Sequence, residues 1–325
     1  MEVKPYSPNL QQDWDYLAQS GKNTSFLFQR PFMDYHQDRF TDASLMVYDQ
    51  GNLVAIFPAN QVEDKVYSHQ GLSYGGFITA RETKLKPTLA ALAACLNYWQ
   101  KQGLQTLIFK ALPYIYHSLP ADEIAWGLTL CKAQLYRRDA SLTIDTQEPL
   151  KFQTRRKRSI KKAAKLGPRL ASGNDPKLFT DFWQQVLVPN MEAKHGLKPV
   201  HSLQEILLLA SRFPEQMVQC NIYLGDAIQA GATMFLNPQV AHAQYISGHA
   251  EGRRNGCLDY LFAQLIQEKY KGYRYFDFGN SNEEAGTKIN EGLLDWKEGF
   301  GARAVVHDFY ELPLEQAHHL QNYLV

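Results

Sequence analysis

One order of structural elements occurs twice along this 325-residue chain, and that repetition limits its fold more than any single motif. In the first half, Ser44–Tyr48 and Leu53–Phe57 flank the turn Asp49-Gln50-Gly51-Asn52, the pattern of a β-hairpin. A strand follows near Val66–Ser68, then a glycine-rich stretch with Gly71, Gly75 and Gly76. Leu89, Leu92, Ala93 and Leu96 then recur at i, i+3, i+4 and i+7, which specifies an amphipathic helix. Gly103 ends it, and Thr106–Phe109 forms the next strand. The second half repeats the order. Asn221–Leu224 passes through Gly225-Asp226 into Ile228–Phe235, and Asn237-Pro238 turns the chain into Ala241–Ser247. The loop Gly248–Gly256 opens a helix with Leu258, Leu261, Phe262, Leu265 and Ile266 on its apolar face, and Tyr273–Phe276 is the strand beyond Gly272. A repeat of this length is a duplicated domain, not a solenoid unit. The alternative is two unrelated α/β domains that share an order of elements.

A hydrophobic content of 45% and a charged content of 21% suit a folded chain, and the length suits two domains. We expect these at 1–150 and 151–325. A net charge of +1 means that any electropositive site must be local. One exists at the boundary: residues 151–169 hold nine Lys/Arg and no acid. Ile160, Ala163 and Ala164 give this stretch a thin apolar face, so a basic helix ended by Gly167-Pro168 is expected. It is either a solvated face or a contact for a polyanion such as tRNA. Four scattered cysteines without a CxxC pair, and no signal-like or membrane-length apolar segment, point to a cytoplasmic protein.

Three local patterns bear on chemistry. Arg253, Arg254, Asn255 and Gly256 precede a helix, where backbone N–H groups and the helix dipole favour an anion. Phe276-Asp277-Phe278-Gly279 spells a kinase motif, but the accompanying lysine, HRD and glycine-loop motifs are missing. Lys297 and Glu298 sit between Trp296 and Phe300 in a glycine-punctuated segment, unlike lysines on a solvated helix face. A structural ion pair of Lys297 with Glu298 or Asp277 is the plainer account of it. The ten histidines form no HExxH, and no zinc site is apparent.

The C-terminal run, from FDFGNS at Phe276–Ser281 to WKEGFGA at Trp296–Ala302, resembles the C-terminal motif of the FemAB-like transferases. Ser73-Tyr74-Gly75-Gly76, Phe57-Pro58-Ala59 and the basic entry Arg155–Gly167 resemble other parts of that family, so the likeness spans nearly the whole chain. The order of elements is also that of the acetyltransferase (GNAT) core. The resemblance implies an α/β (α+β) fold of two tandem GNAT domains, with a site where splayed strands of one domain meet the other. Within the glycine turn, Arg253 and Gly256 fit the coenzyme A motif of acetyltransferases, but Leu258 stands where Gly or Ala belongs.

The implied activity is transfer of an aminoacyl or acetyl group from an activated ester or thioester to an amine on a cell-wall or polysaccharide precursor. Acyl-CoA or aminoacyl-tRNA would be the co-substrate, with no tightly bound cofactor. The acceptor would be a small-molecule, lipid-linked or nucleotide-linked sugar precursor. Lys297 would steady the oxyanion or hold a phosphate, while Asp277 and Glu298 would orient the amine or take its proton. Tyr74, Arg155, Arg156 and Ser281 would contact substrate. The competing reading is a non-catalytic tandem-GNAT protein that binds a nucleotide-sugar or nucleic acid.

Overall fold

A computed structural model describes residues 1–321 and 323. The chain forms two compact units, Met1–Asp139 with Val306–Val325, and Ala140–Val305.

In the first unit, strands Leu45–Asp49 and Asn52–Phe57 pair as the expected hairpin. Gln50 and Gly51 at its tip have φ of 49° and 83°, the left-handed pair that matches a hairpin's twist. Glu2–Pro5 adds to one edge of this sheet and Ile78–Thr79 to the other. A second set of strands runs Thr41–Asp42, Asn60–Val62, Lys65–Tyr67 and Thr106–Lys110, the last two in parallel. Helix Leu85–Lys101 buries Leu89, Leu92, Ala93, Leu96 and Trp99 in the core, as its apolar period requires.

The strand Arg303–Pro313 ends in this same unit. Its residues Phe309–Pro313 pair antiparallel with Lys110–Thr106, and Leu312, Leu314, Ala317 and Leu320 enter the first core. Backbone pairing and apolar burial thus return the C-terminal segment to the first unit, whereas the linear division at 150 and 151 assigned it to the second.

The second unit is one sheet in the order Arg169–Gly173, Met217–Leu224, Ala227–Leu236, Val240–Gly248 and Tyr275–Asn280, flanked by Ser141–Asp145. Val240–Gly248 and Tyr275–Asn280 are parallel and pair only through Val240↔Tyr275, Ala241↔Phe276 and His242↔Asp277. Their pairing ends at that register. Helix Cys257–Gln264, continued as a π-turn through Lys269, covers the sheet with Leu261, Phe262, Leu265 and Ile266. Two expectations shift here. The stretch Gly248–Gly256 is not a loop, because Ala250–Asn255 forms a short helix that Gly256 closes at φ +80°. The strand expected at Tyr273–Phe276 runs instead over Tyr275–Asn280. Helices Pro176–Phe182, Val188–His195 and Leu203–Arg212 follow strand Arg169–Gly173 in the chain and were not part of the expected repeat.

Candidate functional site

The segment Tyr275 to Phe300 builds a buried polar cluster inside an aromatic shell. Strand Tyr275–Asn280 is irregular: Asp277 pairs with Thr143 and Asn280 with Ser141, so Phe278 and Gly279 form a bulge. Gly279 has φ +73°, which favours glycine. The bulge carbonyls of Gly279 and Asn280 accept hydrogen bonds from Lys297 Nζ at 2.9 and 2.5 Å. Lys297 lies on helix Glu291–Glu298, started by Asn290, whose side chain accepts from Leu293 N–H at 3.0 Å. Phe262, Phe278, Trp296 and Phe300 pack around this helix end, Phe262 stacked on Phe278 and the other pairs edge-to-face or tilted. The lysine is only 2% exposed, and burial lowers its pKa to about 8 against the opposing pull of Asp277.

Asp277, 1% exposed, is saturated with donors. Oδ1 accepts from Ser141 Oγ at 2.7 Å, Thr143 Oγ1 at 3.0 Å and Gly279 N–H at 3.0 Å. Oδ2 lies 2.8 Å from His242 Nδ1. Burial by itself would raise this carboxyl, but the His242 charge and these hydrogen bonds outweigh it and hold the group well below the usual carboxylate range. A carboxylate so engaged orients its neighbours; it is a poor proton acceptor itself. Ser281, next to the bulge, is buried, and its Oγ has no hydrogen-bond partner among the described residues. Asp277 and Lys297 thus come together, joined by His242, with Ser281 following the bulge in sequence. Glu298 is half-buried beside Lys297, and among the described residues its carboxylate makes no ion pair.

The other candidates stand elsewhere. On the basic helix Thr154–Ala164, Arg156 ion-pairs with Asp259 at 2.7 Å, and Trp296 Nε1 donates to the same oxygen at 2.7 Å. Arg155 ion-pairs with Asp295 and donates to its carbonyl at 3.2 Å. Lys157, Arg158, Lys161, Lys162 and Lys165 are exposed. The turn Arg253–Gly256 is held by protein groups: Arg253 donates to Gly248 O, Gly256 N–H donates to Arg253 O at 3.1 Å, and Lys162 Nζ donates to Arg254 O at 2.7 Å. A Cβ on Gly256 would stand 2.4 Å from Ser159 O. The glycine is therefore needed for the approach of the basic helix, irrespective of any anion. Asn255 is the last residue of the short helix that this glycine closes. Tyr74 belongs to the first unit, where its hydroxyl lies 2.8 Å from that of Tyr116. That unit also holds a cavity of about 260 Å³ between Phe77 and Phe109, lined further by Leu112, Ile124 and Leu128.

Residues 151–298 match the acetyltransferase (GNAT) domain family. No curated protein sequence matches the chain. Among solved structures, FemX is similar over 100% of both chains at 11% identity, with a TM-score of 0.67. L-PGS from Bacillus licheniformis is similar over 99% of this chain and 96% of its own, at 11% identity and a TM-score of 0.62. A tandem GNAT protein from the clavulanic acid biosynthesis pathway is similar over 96% and 98%, at 11% identity and a TM-score of 0.52. The chain has a FemAB-like tandem-GNAT fold. The matched residues, 151–298, contain the basic helix, the Arg253–Gly256 turn, and His242, Asp277, Ser281 and Lys297. The His242–Asp277 contact sits at the last register paired between the parallel strands of the second unit. No helix among the described residues is long and apolar enough to cross a membrane.

Sequence reasoning missed His242. Nothing around it marks it, since Val240-Ala241-His242-Ala243 reads as an ordinary buried strand. Only the register with Asp277 gives it a role.

Proposed function

We propose that this protein transfers an aminoacyl or acetyl group from an activated ester or thioester to an amine on a cell-wall or polysaccharide precursor. The observation that carries this reading is the buried Lys297 ammonium, fixed on the Gly279 and Asn280 carbonyls within the GNAT acyltransferase domain. Acyl transfer requires the amine held near the carbonyl carbon and a fixed positive group near the developing oxyanion. In a site that excludes water, such a charge acts more strongly than in bulk solvent. A charged Lys297 would supply that group, and the Ser281 hydroxyl a second donor.

Two donors fit the fold relatives. The clavulanic acid tandem GNAT structure is described as the form without AcCoA, and another similar structure is a domain of a putative lysylphosphatidylglycerol synthetase from Agrobacterium fabrum. Those relatives support an acyl-CoA or an aminoacyl donor. The exposed basic residues Lys157, Arg158, Lys161 and Lys165 would serve the phosphates of either.

The test is label transfer from radiolabelled acetyl-CoA and from a radiolabelled aminoacyl-tRNA mixture to amino sugars and to amine-bearing cell-wall peptides. One donor should support transfer, and Lys297→Met should lower it by about a hundredfold in protein that still folds. Unchanged turnover in the folded Lys297→Met fraction, or no transfer by the wild type from either donor, overturns the reading.

A further inference from the structure

We propose that the cavity of the first unit binds a small primary amine that carries an aromatic ring or a branched aliphatic group. The proposal goes beyond the acyl-transfer reading and stands without it. The walls of the cavity belong to the unit formed by Met1–Asp139 and Val306–Val325. Tyr310 pairs with Phe109, and side chains alternate along a strand. Phe109 and Ala111 therefore share a face with Asp308 and Tyr310, while Lys110 and Phe309 point the other way. Helix Glu123–Leu130 adds Ile124, Ala125 and Leu128 to the lining.

Contacts outside the cavity fix that helix. Gly127 lets it approach helix Leu85–Lys101, since a Cβ there would stand 2.9 Å from Leu89 and 3.0 Å from Leu92. Lys22 Nζ ion-pairs with Glu123 at 2.5 Å and donates to Thr83 O at 2.9 Å, which holds the helix start. The space beside the helix is thus built into the fold.

The lining selects the ligand. Phe77, Phe109, Leu112 and Leu128 are buried and form an apolar floor, while Tyr114, Asp122, Ala125 and Val306 are exposed and mark the mouth. An apolar floor gives water few partners, and a cavity of about 150 Å³ with such walls already takes benzene. This one, at about 260 Å³, has room for a ring with a short side chain. Most polar groups of the lining are matched within the protein. Asp308 accepts from Arg138 at 2.6 and 2.8 Å and from Tyr310 at 3.2 Å. Asn23 donates to Phe77 O at 2.8 Å and accepts from Thr79 N–H at 3.0 Å. Burial lowers the pKa of His117, so its ring is neutral near pH 7.5. The Asp122 side chain makes no hydrogen bond or ion pair among the described residues, although it heads helix Glu123–Leu130. Its carboxylate at the mouth complements an ammonium and repels an acid.

Calorimetric titration of the full chain with 2-phenylethylamine, 2-phenylethanol and 3-phenylpropionate tests the site without any acyl donor. The amine should bind one to one and most tightly, and the carboxylate most weakly. Ala125→Phe places a ring in the mouth from an exposed helix position and should abolish binding while unfolding stays cooperative. Asp122→Asn should weaken the amine by about fivefold, the upper range for an exposed ion pair, and leave the alcohol unchanged. The methyl resonance of Ile124, identified by its loss in Ile124→Val, should shift as the amine saturates the wild type, which locates the ligand without the Ala125→Phe protein. The proposal is overturned by no saturable binding of the amine at millimolar concentration, or by an Ile124 methyl that saturation leaves unmoved. Wild-type affinity in folded Ala125→Phe overturns it too, as does amine binding that is indifferent to Asp122→Asn or matched by the carboxylate. None of these outcomes bears on label transfer, so acyl transfer stands or falls separately.

Discussion

His242 and Asp277 face each other across the final register of two parallel strands, 2.8 Å apart, and the backbone pairing stops there. A strongly hydrogen-bonded carboxylate at the end of this pairing links the fold's integrity to its polar cluster, with consequences for stability that can be measured apart from activity.

Asp277→Asn should cost about 1–3 kcal/mol near neutral pH, the range for a buried polar site that loses part of its hydrogen bonding. The carboxyl is held below its ordinary value when folded. Its stabilisation is therefore complete above the unfolded value of about 4 and disappears as pH falls through the folded value. Thermal melts of the two proteins should differ most at pH 6–8 and converge on acidification. A gap that stays constant to pH 3 contradicts the account.

Lys297 should show the same sign of dependence in a more alkaline window. Its folded pKa is about 8, against roughly 10.4 in an unfolded chain. Between those values the unfolded state binds more protons, so stability rises with pH. Denaturant titrations of the wild type should show that rise from pH 8 to 10, and Lys297→Met should lack the part due to this group.

Gly256→Ala should destabilise the second unit by more than about 1 kcal/mol. The residue sits at φ +80°, and the added methyl meets Ser159 O at 2.4 Å. Gly225, also at positive φ but with open space around it, should tolerate alanine better, at about 1 kcal/mol. Urea midpoints of the two variants give the comparison.

Arg156 and Arg158 are two residues apart and should behave differently. Arg156→Ala strands the buried Asp259 carboxylate and should cost about 3–5 kcal/mol of stability. Arg158→Ala removes an exposed charge and should change stability by less than about 0.5 kcal/mol. If the exposed face holds a polyanion, charge reversal at Lys157, Arg158 and Lys161 should flatten the salt dependence of tRNA binding. Binding that ignores salt, or none at low salt, excludes the nucleic-acid role.

The sequence by itself determined the repeated order of elements, because hairpin turns and helix periods are written in residues a few positions apart. Asp49-Gln50-Gly51-Asn52 folds as the hairpin tip, and Leu89, Leu92, Ala93 and Leu96 go inward as their spacing requires. It also singled out Lys297 through its aromatic and glycine neighbours, and the basic helix through its charge. Contacts fixed by strand register and helix docking were not legible, since they join residues far apart in the chain. His242 and Asp277 meet only through the parallel register, and the bulge at Gly279 is what turns two carbonyls toward Lys297. The docked basic helix makes Gly256 a packing residue and Arg156 a buried partner of Asp259. Pairing of Phe309–Pro313 with Thr106–Lys110 returns the C-terminal segment to the first unit. Local sequence sets which elements form. Long-range backbone pairing decides which of their side chains share a site.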